Sequence, residues 1–564
     1  MTFSKPSLAT VATVMTLVLA SGLILSLILP NVGGKLPDAG RTPIADRLEA
    51  VSPETAAVNQ PVPAGDMLLM RHKGADPSSS VPYAEIGRDR FEAFDPNPVK
   101  LVSEDPVSTF SVDVDTASYS FVRRMLNTGV LPQIDAVRIE EMINYFSYDY
   151  PLPQSRQQPF LPTIAMSDSP WASGRKLLHI GIKGFDVEPA EKPRSNLVFL
   201  LDVSGSMNNP DKLPLVKQSM EMLLSELDPD DTVAIAVYAG AAGTVLEPTP
   251  VSERRRILDA MRQLQAGGST AGAQGIRLAY ELAESNLDSA AVNRVILATD
   301  GDFNVGITND RELQSFIERK REQGIYLSVL GFGQGNYQDA RMQTLAQNGN
   351  GVAAYIDTLA EAQKVLVDEA TSTLFPIATD VKIQVEFNPA RVAEYRLIGY
   401  ETRQLRREDF NNDAVDAGDI GAGHTVTAIY EITPVGSDAR QIEPSRYQPE
   451  TASTPHDASA EYAFLKIRYK LPGEEQSELI TRPITNGDEI SLDSGSTLAR
   501  EAGFATAVAA FAQLLKGGEH MNAYGFDEVI GLAQQSKGDD NYGYRTEFIQ
   551  LVRRAKTADA IRAR

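Results

Sequence analysis

Between residues 196 and 373, short apolar strands alternate with helix-period segments, which predicts an α/β unit with a doubly wound, mostly parallel sheet. Strand-like stretches without intervening helices flank that unit on both sides, so the α/β unit is predicted to be inserted in a β-sandwich. The remaining pattern adds a C-terminal helical region after residue 490 and an N-terminal membrane anchor before residue 35.

The anchor rests on residues 8–29, which carry no charge and are almost wholly apolar or small. These 22 residues at about 1.5 Å each reach roughly 33 Å, enough for a bilayer core. The run is longer than a signal-peptide core and no Ala-x-Ala-like site follows, so an uncleaved signal-anchor over 1–34 is expected, with cleavage and secretion as the alternative. Lys5 precedes the span but Lys35, Arg41 and Arg47 follow it, and charge alone does not set the orientation. Residues 35–97, rich in Pro, Ala, Ser and charge, read as a flexible linker.

Residues 98–150 form a mixed segment with a strand at 109–114 and helices at 117–127 and 137–145. Its Asp113-x-Asp115 pair resembles a phosphatase nucleophile loop, but no lysine and paired-acid loops follow in order, so Asp115 or Thr116 is expected to cap the next helix. The sandwich is assigned to 151–195 and 376–490, with strands at 162–166 and 177–184, then 380–387, 395–399, 425–432, 462–471 and 479–484. The acidic loop 409–423 fails as an EF-hand, because Ala414 stands where glycine is needed and Ile420 where the bidentate glutamate belongs; a solvated turn is expected.

The α/β unit, 196–375, has expected strands at 196–202, 231–239, 244–247, 293–299, 325–331 and 352–357. Helices are expected at 211–226, 252–264, 271–286, 310–323, 337–347 and 359–372. The first strand ends on Asp202-x-Ser204-x-Ser206, and the fourth ends at Asp300. In the strand order 3-2-1-4-5-6, strands one and four are neighbours, so both aspartates end on one edge with Thr270 beside them. One carboxylate, two hydroxyls, a third hydroxyl and a second carboxylate form a set of hard oxygen atoms, the kind that Mg²⁺, Mn²⁺ or Ca²⁺ prefers. Beyond the sandwich, 497–515 reads as a core helix interrupted by Arg500 and Glu501, and 545–558 as an amphipathic helix within the 491–564 region.

The constellation Asp202, Ser204, Ser206, Thr270 and Asp300 resembles the metal-ion-dependent adhesion site (MIDAS) of von Willebrand factor type A domains, a Rossmann-like fold. Segments 105–126 (DPVSTFSVDVDTASYSFVRRML), 136–151, 387–410 and 542–555 (YGYRTEFIQLVRRA) resemble the bacterial YfbK-like family of type A-domain proteins. The resemblance implies a divalent ion, usually Mg²⁺, held by the serine and threonine hydroxyls, with the aspartates acting directly or through water. It also implies capture of a protein partner that offers a carboxylate, and export of the globular part to the periplasm or the cell exterior.

Composition removes other classes. A net charge of −22 disfavours a phosphate backbone, so no nucleic acid is expected. The chain has no cysteine, which removes disulfides, thiolate zinc sites, thiol catalysis and lipobox acylation. Its five histidines all lie outside 196–373, and Ser204 and Ser206 lack a nucleophile elbow. The Gly331–Tyr337 stretch lacks the third glycine and distant acid of a dinucleotide loop. A binding module rather than an enzyme is therefore expected; an envelope scaffold with an incidental metal and a metal-dependent phosphohydrolase are the alternatives.

Overall fold

The computed structural model describes residues 91–153, 157–186, 192–269, 272–301, 310–333, 338–443 and 460–562. The apolar stretch 8–29, the linker and Thr270 lie outside the described residues. Among the described residues, no helix is long and apolar enough to cross a membrane.

The chain enters through β1 (Lys100–Leu101) and β2 (Val107–Ser111), then α1 (Ala117–Asn127) and α2 (Ile139–Asn144), then the long strands β3 (Phe160–Asp168) and β4 (Lys176–Gly184). The α/β unit follows as β5 (Ser195–Asp202), α3 (Leu213–Glu226), β6 (Thr232–Tyr238), β7 (Ala242–Pro250), α4 (Arg254–Arg262), α5 (Gly272–Ser285) and β8 (Val292–Thr299). It continues through α6 (Asp310–Glu322), β9 (Ile325–Phe332), α7 (Asp339–Asn348), β10 (Ala353–Ile356), α8 (Leu359–Gln363) and α9 (Ala370–Leu374). The sandwich resumes with β11 (Pro376–Phe387), β12 (Val392–Ile398), β13 (Gly418–Gly421), β14 (Thr425–Pro434), β15 (Glu461–Lys470) and β16 (Glu478–Thr485). Three helices close the described chain: α10 (Thr497–Leu515), α11 (Phe526–Gln535) and α12 (Tyr544–Arg562).

The central sheet runs β10-β9-β8-β5-β6-β7, which in the unit's own numbering is the expected 3-2-1-4-5-6 order. Only β7 is antiparallel, a hairpin partner of β6. Every residue of β5 is buried, as a parallel strand covered on both faces must be. One face packs on α3, α4 and α8 through Leu197, Phe199, Met220 and Ile257. The other packs on α5, α6 and α7 through Val198, Leu200, Ile276 and Leu345.

Two antiparallel sheets, β1-β12-β14-β4-β3 and β13-β11-β15-β16 with β2 also on β11, share one apolar core that includes Phe110, Ile180, Val385, Tyr430 and Ile467. On the outer face of the first sheet, Ile398 and Ile429 pack into a separate core built from α1, α2 and α10–α12, with Phe146, Phe504, Phe511 and Phe548 in mutual contact. Residues 98–150 thus supply strands to both sheets and helices to this layer.

Several local expectations are corrected. Asp115 does not cap α1: its carboxylate accepts from the Ala353 amide and from Arg403, a cation brought by the 3₁₀ turn Glu401–Arg403 after β12, and Thr116 at the cap makes no side-chain cap bond. The segment 359–372 is not one helix but α8, a π turn at Lys364–Asp368 and α9. The wider turn brings Lys364 and Glu369, five residues apart, into an ion pair, and Tyr544 of α12 hydrogen-bonds Asp368 at 2.5 Å. The acidic loop 409–423 is not all turn, since β13 within it adds to β11.

Candidate metal centre

Asp202 is the last residue of β5 and Asp300 immediately follows β8, its parallel neighbour, so the two carboxylates stand at the same edge of the sheet. Both are buried. The chain turns sharply after Asp202: the Ser204 amide donates to Asp202 Oδ1 at 2.8 Å, and a short 3₁₀ turn, Gly205–Asn208, follows. This turn sets the Ser204 and Ser206 hydroxyls 3.1 Å apart, with Ser204 buried and Ser206 exposed. The donor set therefore faces solvent on the Ser206 side.

Thr270 lies outside the described residues, but the loop that leads to it is docked against the same turn. The Gly205 amide donates to the Gly268 carbonyl at 3.0 Å, and the Gly267 amide to the Val203 carbonyl at 2.8 Å. Gly268 has φ +91°, a left-handed conformation that a side chain rarely adopts, and its place there lets the two loops meet backbone to backbone.

Three further groups complete the surroundings, and sequence patterns did not single them out. Lys212, almost wholly buried just before α3, donates from Nζ to Asp300 Oδ2 at 2.9 Å. Its aliphatic stem lies against Gly333, where φ is +77° and an added Cβ would meet the lysine carbons. Thr299 Oγ1 donates to Asp202 Oδ2 at 3.4 Å. Tyr238 ends β6 directly opposite Asp202 in the sheet register, and its side chain backs onto Gly275 of α5 so closely that a Cβ there would meet the Tyr238 Cβ at 2.8 Å and the ring at 3.1 Å. The strand order could have pointed to Tyr238, because the second strand of such a sheet ends beside the first; Lys212 leaves no periodic signal.

Burial pushes the Asp202 carboxyl up to about 6, with the Asp300 charge adding to the shift and hydrogen bonds from Ser204 and Tyr238 opposing it. Two buried carboxylates on one edge, with the Lys212 ammonium paired to Asp300, favour an additional positive charge. Among the described residues, no group of three or more His, Cys, Asp or Glu side chains comes together as a ligand set. The Ser204 and Ser206 hydroxyls add neutral oxygen atoms beside the two carboxylates, a set of donors that suits a hard divalent cation better than a soft metal. On donor chemistry the residues fit Mg²⁺ or a close relative.

The profile described as von Willebrand factor type A domain matches residues 196–369, that of von Willebrand factor matches 85–179, and that of the C-terminal part of the uncharacterized protein YfbK matches 372–558. The chain is 45% identical over 475 residues to the uncharacterized protein YfbK of Escherichia coli K12, covering 83% of this chain and 81% of that one. It is 30% identical over 203 residues to human inter-alpha-trypsin inhibitor heavy chain H4, covering 34% of this chain but only 21% of that relative. Among solved structures, a von Willebrand factor type A protein from Catenulispora acidiphila aligns over 70% of this chain and 89% of its own, with 17% identity and a TM-score of 0.38. The profile matches and the similarity to the E. coli protein over most of both chains establish that this chain belongs to the YfbK-like family of von Willebrand factor type A domain proteins.

Proposed function

We propose that the protein is a non-enzymatic binding module of the cell envelope that holds one divalent cation, Mg²⁺ or alternatively Mn²⁺ or Ca²⁺, at Asp202, Ser204, Ser206, Thr270 and Asp300. Through that ion it grips a carboxylate on a partner protein. The observation that carries this reading is the pairing of two buried carboxylates on adjacent strand ends with two serine hydroxyls 3.1 Å apart, of which that of Ser206 lies on the exposed side. A type A domain is first of all a protein-interaction module, and this edge is where such a sheet binds.

When bound, the ion supplies a Lewis-acidic attachment point for an anionic side chain. The chain's own residues prepare for it. The Ser204 amide and Thr299 hydroxyl hold the Asp202 carboxylate in one orientation. The docking of Gly205 against Gly268 keeps the serine loop beside the loop that carries Thr270. Lys212 supplies a positive charge beside the buried Asp300 carboxylate and offsets its desolvation. The apolar span at 8–29 serves in this reading as the anchor, leaving the globular part outside the cytoplasm.

The test is capture from an envelope fraction by the full-length protein, with Mg²⁺ or with EDTA, and with Asp202→Ala in parallel. Partners retained only by the wild type in Mg²⁺, and lost when their carboxyl groups are amidated beforehand, support the reading. Identical partners in all arms instead favour a scaffold with an incidental ion, and steady turnover of phosphate esters in Mg²⁺ favours a phosphohydrolase.

A further inference from the structure

The Lys212 ammonium is kept on Asp300 by groups that lie outside the ligand set. Gly333 follows β9 at the same sheet edge as Asp300, and its α-carbon rests on the lysine stem. An added Cβ there would stand 2.9 Å or less from Lys212 Cγ, Cδ and Cε. Lys212, only 6% exposed, therefore cannot swing toward Gly333 unless that residue moves.

The Gly333 carbonyl is itself pinned. Tyr355 in β10, 1% exposed, donates its hydroxyl to that oxygen, and Arg124 in α1 donates from Nη1 to the Tyr355 hydroxyl. The same Nη1 lies 3.5 Å from the Gly333 carbonyl, so one oxygen with two lone pairs faces two donors. Pulling the buried hydroxyl off this acceptor would leave both unsatisfied, which holds the loop in place. The Arg124 guanidinium is fixed in turn by two rings, 4.5 Å from the Phe121 centroid and 5.3 Å from that of Tyr355. Phe91 meets Phe121 edge-on, with 4.5 Å between centroids.

Phe121, Arg124, Tyr355, Gly333, Lys212 and Asp300 thus form one unbroken series of contacts. Its first two members belong to α1, outside the α/β unit, so the helical layer reaches the candidate metal centre through the Gly333 carbonyl.

We propose that Arg124 and Tyr355 are positioning residues of the candidate metal centre: by fixing Gly333 they keep the Lys212 ammonium on Asp300, and so set how readily that carboxylate is yielded to a divalent cation. The cation half of this statement rests on the metal reading above; the lysine half rests on geometry alone. The excursion that frees the amine also uncovers Asp300, so both halves should move by the same factor.

Acetylation of the full-length protein by acetic anhydride without metal, followed by peptide mass spectrometry, reports how often Lys212 leaves Asp300. Lys382, buried in β11 and donating to the Asn412 carbonyl at 2.6 Å, is the internal reference for global opening. Tyr355→Phe and Arg124→Gln should each label Lys212 about fivefold faster, the factor one neutral hydrogen bond is worth, with Lys382 unchanged. Calorimetric titration of Mg²⁺ should give a Kd tighter by the same factor of about five in each variant. Adding Tyr355→Phe to Lys212→Met should change the Kd no further, because the group it positions is gone. An unchanged Lys212 labelling rate in both folded variants overturns the proposal, as does a Mg²⁺ shift of equal size with and without Lys212. If the labelling responds while the wild type gives no Mg²⁺ heat, the metal reading fails and the positioning of Lys212 stands.

Discussion

Replacing Lys212 by Met removes the ammonium that sits 2.9 Å from the buried Asp300 carboxylate and keeps the lysine's aliphatic length against Gly333. Without added metal, the buried Asp300 carboxylate then loses this cation, which costs up to about 3–5 kcal/mol and lowers the Tm. With a divalent ion the sign reverses. An ammonium and a dication that share one carboxylate lie within about 5 Å of each other and repel by about 1.7 kcal/mol even at the dielectric constant of water. Relief of that repulsion should tighten Mg²⁺ binding roughly twentyfold. The assay is a titration of Mg²⁺ and Mn²⁺ into wild-type and Lys212→Met protein, with Tm recorded at each concentration. The variant should begin lower, rise further with metal and saturate earlier. Unchanged or weaker metal affinity in a folded Lys212→Met protein would refute the idea that Lys212 and the ion compete for Asp300.

Gly333→Ala should disturb the same lysine from the other side: the left-handed backbone costs about 1–2 kcal/mol, and the new Cβ displaces the Lys212 stem, so metal affinity and Tm both change while Gly324→Ala, also at positive φ but facing open space, lowers only the Tm. Arg138 holds Asp339 bidentately at 2.6 and 2.7 Å and also pairs with Glu141, joining α2 to α7; Arg138→Met should cost about 3–5 kcal/mol, and Arg138→Lys should restore only part of it in denaturant titrations. Glu140, in the first turn of α2, is wholly buried, and burial with the Glu401 and Asp113 charges pushes its carboxyl up to about 8. The folded state then binds more protons than the unfolded state above the ordinary glutamate range, so stability should fall as pH rises toward 8, by at most about 1.4 kcal/mol per pH unit from this group. Glu140→Gln should flatten that slope in urea melts between pH 5 and 8; an identical slope would remove Glu140 as its source.

The arrangement of the candidate site was largely legible because it depends on regular features. Apolar β-branched runs buried on both faces mark parallel strands, and their alternation with helices restricts the strand order, which puts Asp202 and Asp300 on neighbouring ends. Long-range polar pairing carries no such period. Arg403 reaches back to Asp113 and Asp115 across almost 300 positions, which is why Asp115 read as a cap when it is a buried ion-pair partner. Lys212 on Asp300, Arg138 on Asp339 and Arg123 on Glu361 are of the same kind. The break in the last helix was hidden because a π turn and an α turn share nearly the same composition; the extra residue becomes visible only when Lys364 meets Glu369. The helix α11 was missed since its buried positions reduce to Val529 and Ala533 among polar neighbours.

Calorimetric titration of Mg²⁺ into the full-length wild-type protein, alongside Asp202→Ala and Ser204→Ala, asks most directly whether those oxygens hold an ion. A single saturable site in the wild type, abolished by the aspartate change and weakened by the serine change while both variants stay folded, is the predicted outcome. Equal heats in all three proteins, or none in the wild type, would contradict it.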